Sequence, residues 1–122
     1  MLSWLSERIR GWNASPLAKW SVSIENGSIV TSDGSQTTHR LPVIALKKVI
    51  VQTDDSGPCG ADVLYFLFTS NAEPAAVFPL EAQGCQTFVD WLCELPGYND
   101  RELARAMGST NVAEFVVFQA PD

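Results

Sequence analysis

The chain has 122 residues, a formal net charge of −6, 46% hydrophobic residues and 18% charged residues. That is too apolar for a disordered chain and too acidic for the basic footprint of a nucleic-acid binder. No apolar run approaches the roughly 18 residues of a membrane helix, so one globular domain over residues 1–122, with no stable membrane insertion, is expected.

Leu2, Leu5, Ile9 and Trp12 recur at three- and four-residue spacing. This predicts an amphipathic helix within residues 1–13, ended by Asn13, Ser15 and Pro16. The segment lacks the basic start and apolar stretch of a secretory leader, so a cytoplasmic protein is expected.

An antiparallel sheet is expected over residues 19–80. Trp20-Ser-Val-Ser-Ile-Glu, Asn26-Gly27 and Ser28-Ile-Val-Thr read as a hairpin closed by a two-residue turn. This register sets Val22 against Thr31 and Ile24 against Ile29. Residues 39–46 read as a third strand, with Pro42 marking an edge or a bend. Val49–Thr53 reads as a fourth, with Val49, Val51 and Thr53 on one face. Val63–Thr69 is apolar on both faces, which predicts a central strand or one with a covered face. Residues 75–80 read as a sixth strand.

The period then turns helical. Cys85, Phe88, Val89, Leu92 and Leu95 form one stripe over 83–95, widened by Trp91 and stopped by Pro96-Gly97. Asn99 and Glu102 have capping-box spacing and begin a second helix ending at Met107 and Gly108, which closes a helical segment over 83–107. Residues 112–118 read as a final strand. The whole predicts an α+β fold: an antiparallel meander or partial barrel of about six strands, capped by the C-terminal amphipathic helix.

Few residues offer catalysis. Cys59, Cys85 and Cys93 form no Cys-x-x-Cys pair, and His39 is the one histidine, so no zinc site and no other cofactor is expected. Cys85 and Cys93 read as core. Cys59 has acidic neighbours, which raise a thiol's pKa rather than lower it.

The most distinctive stretch is Thr53–Asp62, where Asp54, Asp55 and Asp62 bracket Gly-Pro-Cys-Gly. Their spacing misses the calcium-loop pattern. They read as a solvated loop, a docking site for a cationic partner, or the carboxylates of a small hydrolase or metal-dependent enzyme. Asp90, Glu94 and Asp100 are further candidate partner-binding residues.

Charge favours docking. Residues 1–48 carry six basic and three acidic side chains, summing to +3, whereas residues 49–122 carry two basic and eleven acidic, summing to −9. A non-catalytic module for a basic protein partner is the expectation, with an acidic immunity protein neutralising a basic toxin as its sharpest form. A homodimer through residues 63–69 or 112–118 as a sheet edge is the other assembly open to the chain.

The Ile24-Glu-Asn-Gly-Ser-Ile29 hairpin, the Leu46-Lys-Lys-Val-Ile-Val51 strand start and the helix ending at Leu95-Pro96-Gly97 resemble the bacterial PH-like superfold over residues 19–95. The chain is also similar to small proteobacterial proteins that share the pieces Thr53–Pro58, Asp62–Phe68, Leu95–Tyr98 and Ala106-Met107, a group with no established activity. The resemblance implies binding of proteins or lipid headgroups without catalysis. Lys47 and Lys48 make a poor headgroup pocket beside so many carboxylates. The helix and strand after residue 97 depart from the PH-like pattern.

Overall fold

The computed structural model describes residues 20–34, 38–53, 63–108 and 112–121. The expected N-terminal helix and the Asp54, Asp55 and Asp62 loop lie outside them.

Strands β1 (Ser21–Glu25) and β2 (Ser28–Ser32) form the expected hairpin. Asn26 and Gly27 take φ values of 52° and 76°, the left-handed pair that a type I′ turn requires. Val22 pairs with Thr31 and Ile24 with Ile29, as anticipated. Strand β3 (Thr38–Pro42) adds to β2 and forms an edge of this three-stranded antiparallel sheet. Pro42, which has no N–H for a ladder, stands at its end.

Residues 43–46 do not continue the third strand. Val43–Ala45 form a 3-10 turn, with the Leu46 N–H donating to the Val43 carbonyl at 3.2 Å. Val43 N–H reaches back to the Gly27 carbonyl at 3.0 Å, which ties the turn to the hairpin tip. Leu46 is buried, whereas Ile44 is 88% exposed. The apolar run here serves a corner, and periodicity alone does not separate a corner from a strand.

Beyond the corner a second antiparallel sheet is built from β4 (Lys48–Thr53), β5 (Val63–Phe68), β6 (Pro74–Pro79) and β7 (Ala113–Gln119). Its order is β6-β5-β4-β7. The α+β class is therefore correct, but the strands divide into two open sheets instead of running on as one meander. β5 is central, which explains its two apolar faces. Because β4 and β6 occupy both its edges, residues 63–69 are not an edge for self-assembly. β7 borders the sheet, but the Asn99 N–H donates to the Val117 carbonyl at 2.8 Å and the Gln119 N–H to the Gly97 carbonyl at 3.1 Å. Part of that border is thus already paired within the chain.

Two helices follow β6: α1 (Cys85–Leu92) and α2 (Asp100–Met107). α1 is shorter than the predicted 83–95, because Gly84 at its start is left-handed (φ 87°) and after Cys93 the backbone bonds tighten to carbonyls three residues back. Cys85, Phe88 and Leu92 are buried, as the stripe predicts. Cys93 corrects the reading: it is exposed, and its thiol donates to the Asp90 carbonyl at 3.1 Å. Asn99 caps α2 by accepting the Glu102 N–H at 3.1 Å. The box is half closed, because the Glu102 carboxylate turns to Arg105 at 2.9 Å instead of back to the cap.

Both helices lie on one face of the second sheet. Cross-strand pairing puts Val51, Tyr65, Phe78 and Phe115 on that face. Tyr65 stacks on Phe78 at 5.1 Å, Phe78 meets Phe88 of α1 edge-on at 5.3 Å, and Phe88 meets Trp91 at 5.6 Å. The Arg105 guanidinium of α2 sits over the Phe115 ring at 5.5 Å. Aromatic contacts of this kind add about 0.5–1.5 kcal/mol each beyond the area they bury. The first sheet meets the second through β6, which contacts β2 and β3.

Candidate functional site

The three acidic candidates among the described residues belong to the helical layer. Asp90 lies on α1, Glu94 four residues on in the turn that extends it, and Asp100 at the start of α2. All three are exposed. The α1 stripe explains this placement: Cys85, Phe88 and Leu92 take the buried face, so Asp90 and the polar positions Gln86 and Thr87 face water.

Their partners are neutral. Asp90 accepts the Gln86 amide at 2.8 Å, one turn back along α1. Asp100 accepts the Tyr98 hydroxyl at 3.4 Å. Among the described residues none of the three has an ion-pair partner, whereas Glu102 is neutralised by Arg105. Partial burial and the adjacent Asp100 carboxylate push the Tyr98 hydroxyl above its ordinary pKa. Asp100 also sits at the N-terminus of α2, where the helix dipole favours negative charge. Among the described residues, Asp90, Glu94 and Asp100 thus hold their negative charge outward without an ion-pair partner.

Asp54, Asp55 and Asp62 lie outside the described residues, as does Cys59. His39 is exposed on the edge strand β3, away from the helical layer. Among the described residues no group of three or more His, Cys, Asp or Glu could hold a metal, and no helix is long and apolar enough to cross a membrane.

The helical layer also holds a cleft of about 500 Å³ that the sequence did not announce. Tyr65 forms its floor, α1 contributes Cys85 and Val89, α2 contributes Leu103 and Met107, and Leu80 closes the end after β6. The floor carries two protonated groups. Burial pushes the Cys85 thiol up from 9.0 to about 11, with nearby Glu81 adding to the rise and the Tyr65 hydroxyl opposing it. Burial likewise drives the Tyr65 hydroxyl well above its ordinary value. At neutral pH the cleft thus offers no thiolate nucleophile. One sequence signal did bear on it: Leu103 and Met107, the two large apolar residues of α2, are four residues apart. No known protein family, curated protein or solved structure matches this chain.

Proposed function

We propose that the chain is a non-catalytic protein-binding module that receives a basic partner on the acidic helical face formed by Asp90, Glu94 and Asp100. The observation that carries this reading is their exposure without an ion-pair partner among the described residues. A cationic partner is attracted more strongly to such carboxylates, because among the described residues no cation already neutralises them. Neutralisation of a basic toxin, as by an immunity protein, is the sharpest form of this role. The cytoplasm is the compartment that goes with it.

The same proposal includes kinship with the PH-like superfold. The paired antiparallel sheets followed by an amphipathic helix support it, and α2 and β7 are additions to that plan. Asp54, Asp55 and Asp62 are further partner-binding candidates under the same proposal.

The test compares the native chain with an Asp90→Asn, Glu94→Gln, Asp100→Asn variant. Each is used to capture proteins from the source cell's lysate at low salt and eluted by a salt gradient. The expected result is a basic protein held by the native chain, released as salt rises, and lost or weakened at least about tenfold by the variant. Capture that ignores both salt and substitution overturns the acidic-face reading.

A further inference from the structure

α1 and α2 are anchored to different parts of the fold: α1 packs against β1, whereas α2 packs against β7 and β4. Between them the cleft runs over the central strand β5, with Tyr65 as its floor. Its walls are aliphatic, with Val89 on α1, Leu103 and Met107 on α2, and Leu80 at the end. Among the described residues five large apolar side chains are exposed, and two of them, Leu80 and Met107, meet here. Apolar side chains gathered at an open concavity mark a surface that takes a partner, whereas single ones do not.

The shape of the cleft selects the shape of the partner. Leu103 and Met107 stand one turn apart on α2, as Cys85 and Val89 do on α1. Two such helical ridges with a trough between them accept a third helix, which lays an apolar stripe along the trough through anchors at i, i+4 and i+7.

The rim selects the partner's charge. Asp90 accepts the amide of Gln86, a lining residue, at 2.8 Å. Glu81 lies near enough to the thiol of lining Cys85 to raise its pKa. Asp100 stands at i to Leu103 at i+3 and Met107 at i+7, hence on the same side of α2. All three carboxylates are exposed. The basic residues of α2 do not offset them. Arg101 and Arg105 stand at i−2 and i+2 to Leu103, which turns them away from the cleft, and Arg105 is already held by Glu102. The floor itself is neutral, since the Tyr65 hydroxyl and the Cys85 thiol stay protonated. An apolar trough with a neutral floor and an acidic rim is complementary to an apolar helical stripe flanked by lysine or arginine.

We propose that the cleft between α1 and α2 seats an amphipathic basic helix of the protein partner, its apolar stripe against Leu80, Val89, Leu103 and Met107 and its flanking cations on Glu81, Asp90 and Asp100. This rests on the acidic-face reading and adds to it the element by which the partner is held.

The probe is a synthetic helical peptide of about 18 residues built from leucine, lysine and alanine, with leucines at i, i+4 and i+7 on one face. A scrambled peptide of the same composition is its control. Both are titrated against the native chain, Met107→Asp, Leu80→Asp and Asp90→Asn/Asp100→Asn, at low and high salt. The native chain should bind the ordered peptide at least about tenfold more tightly than the scrambled one. Met107→Asp and Leu80→Asp should each weaken that binding at least about tenfold, although each adds a carboxylate that a merely electrostatic site would welcome. Hydrogen exchange of β4 and β5 amides reports that both variants remain folded. Asp90→Asn/Asp100→Asn should weaken binding at low salt and flatten its salt dependence. Equal, salt-sensitive binding of both peptides, undiminished in Met107→Asp and Leu80→Asp, overturns the cleft and leaves the acidic face standing. Cleft-dependent binding that ignores salt and the Asp90 and Asp100 substitutions overturns the basic character of the partner. Binding of neither peptide overturns the cleft, and the capture experiment then decides the acidic face by itself. Self-association of the native chain that Met107→Asp abolishes assigns the cleft to a second copy and overturns the proposal.

Discussion

Gly84, like Gly97, is a place where a neighbouring strand's backbone leaves no room for a side chain. Its φ of 87° is left-handed, and a Cβ added there would lie 2.1 Å from the Val22 carbonyl oxygen. That oxygen belongs to the backbone of β1, so it has no flexible side chain to swing aside. The approach exists because Val22 N–H and Gln83 N–H exchange hydrogen bonds with the Gln83 and Trp20 carbonyls, each at 2.8 Å. Gly84→Ala is expected to destabilise the protein by about 3 kcal/mol or more, read by urea denaturation. A loss under about 1 kcal/mol would mean that β1 and the start of α1 separate at little cost. Thr31 makes the opposite case. Its hydroxyl is buried with no hydrogen-bond partner among the described residues, a state that costs on the order of 1–3 kcal/mol. Thr31→Val keeps the β-branch and removes the orphaned oxygen. It should raise the thermal midpoint, and a lowered midpoint would mean that the hydroxyl does find a partner in solution.

Among the elements, α2 depends most on its ends. Its apolar residues are Leu103, Ala104, Ala106 and Met107, and only Ala106 is fully buried. Burial therefore contributes little to it, and capping correspondingly more. Asn99 satisfies the Glu102 N–H, Asp100 and Glu102 complement the N-terminal dipole, and Arg105 complements the last turn. Gly108 ends the helix at φ −93°, so it acts without the left-handed turn usual for a C-terminal glycine. Asn99→Ala should cost about 1 kcal/mol, measured as a shift in the denaturation midpoint with unchanged slope. The Asn99 backbone bond to Val117 does not depend on the side chain, so β7 should keep its exchange protection in that variant.

For the whole molecule, the sealed floor of the helical layer makes stability depend on pH. The folded state holds the Cys85 thiol at about 11 against an ordinary 9.0, and raises Tyr65 as well. Both groups are neutral when protonated, so the folded state binds protons that the unfolded chain has released. This stabilisation is complete below pH 9 and is lost as pH climbs toward 11. Urea-denaturation free energies should therefore fall over that range. The fall should be shallower in Cys85→Ala, and an identical slope in the two proteins would show that the thiol is not desolvated.

What the sequence determined on its own was local. Asn26-Gly27 specifies its turn through the φ angles these residues tolerate, and the turn sets the register of β1 on β2. Asn99 and Glu102 mark a helix start because a side-chain oxygen three residues away satisfies a free N–H. The doubly apolar Val63–Phe68 pointed to a central strand or one with a covered face, and the sheet order shows it central. The exposure of Asp90 was legible because a carboxylate off an apolar helical stripe faces water. Tertiary structure decided the rest, because long-range pairing leaves no periodic mark. The pairing of β7 with β4, more than fifty residues earlier in the chain, is not encoded in either strand's pattern. The corner at Val43–Ala45 looked like strand because burial there is set by the sheet it turns toward. The cleft is likewise invisible in the linear chain. Tyr65, Cys85 and Met107 become its walls only when two helices settle side by side on the face that β5 shares with its neighbours.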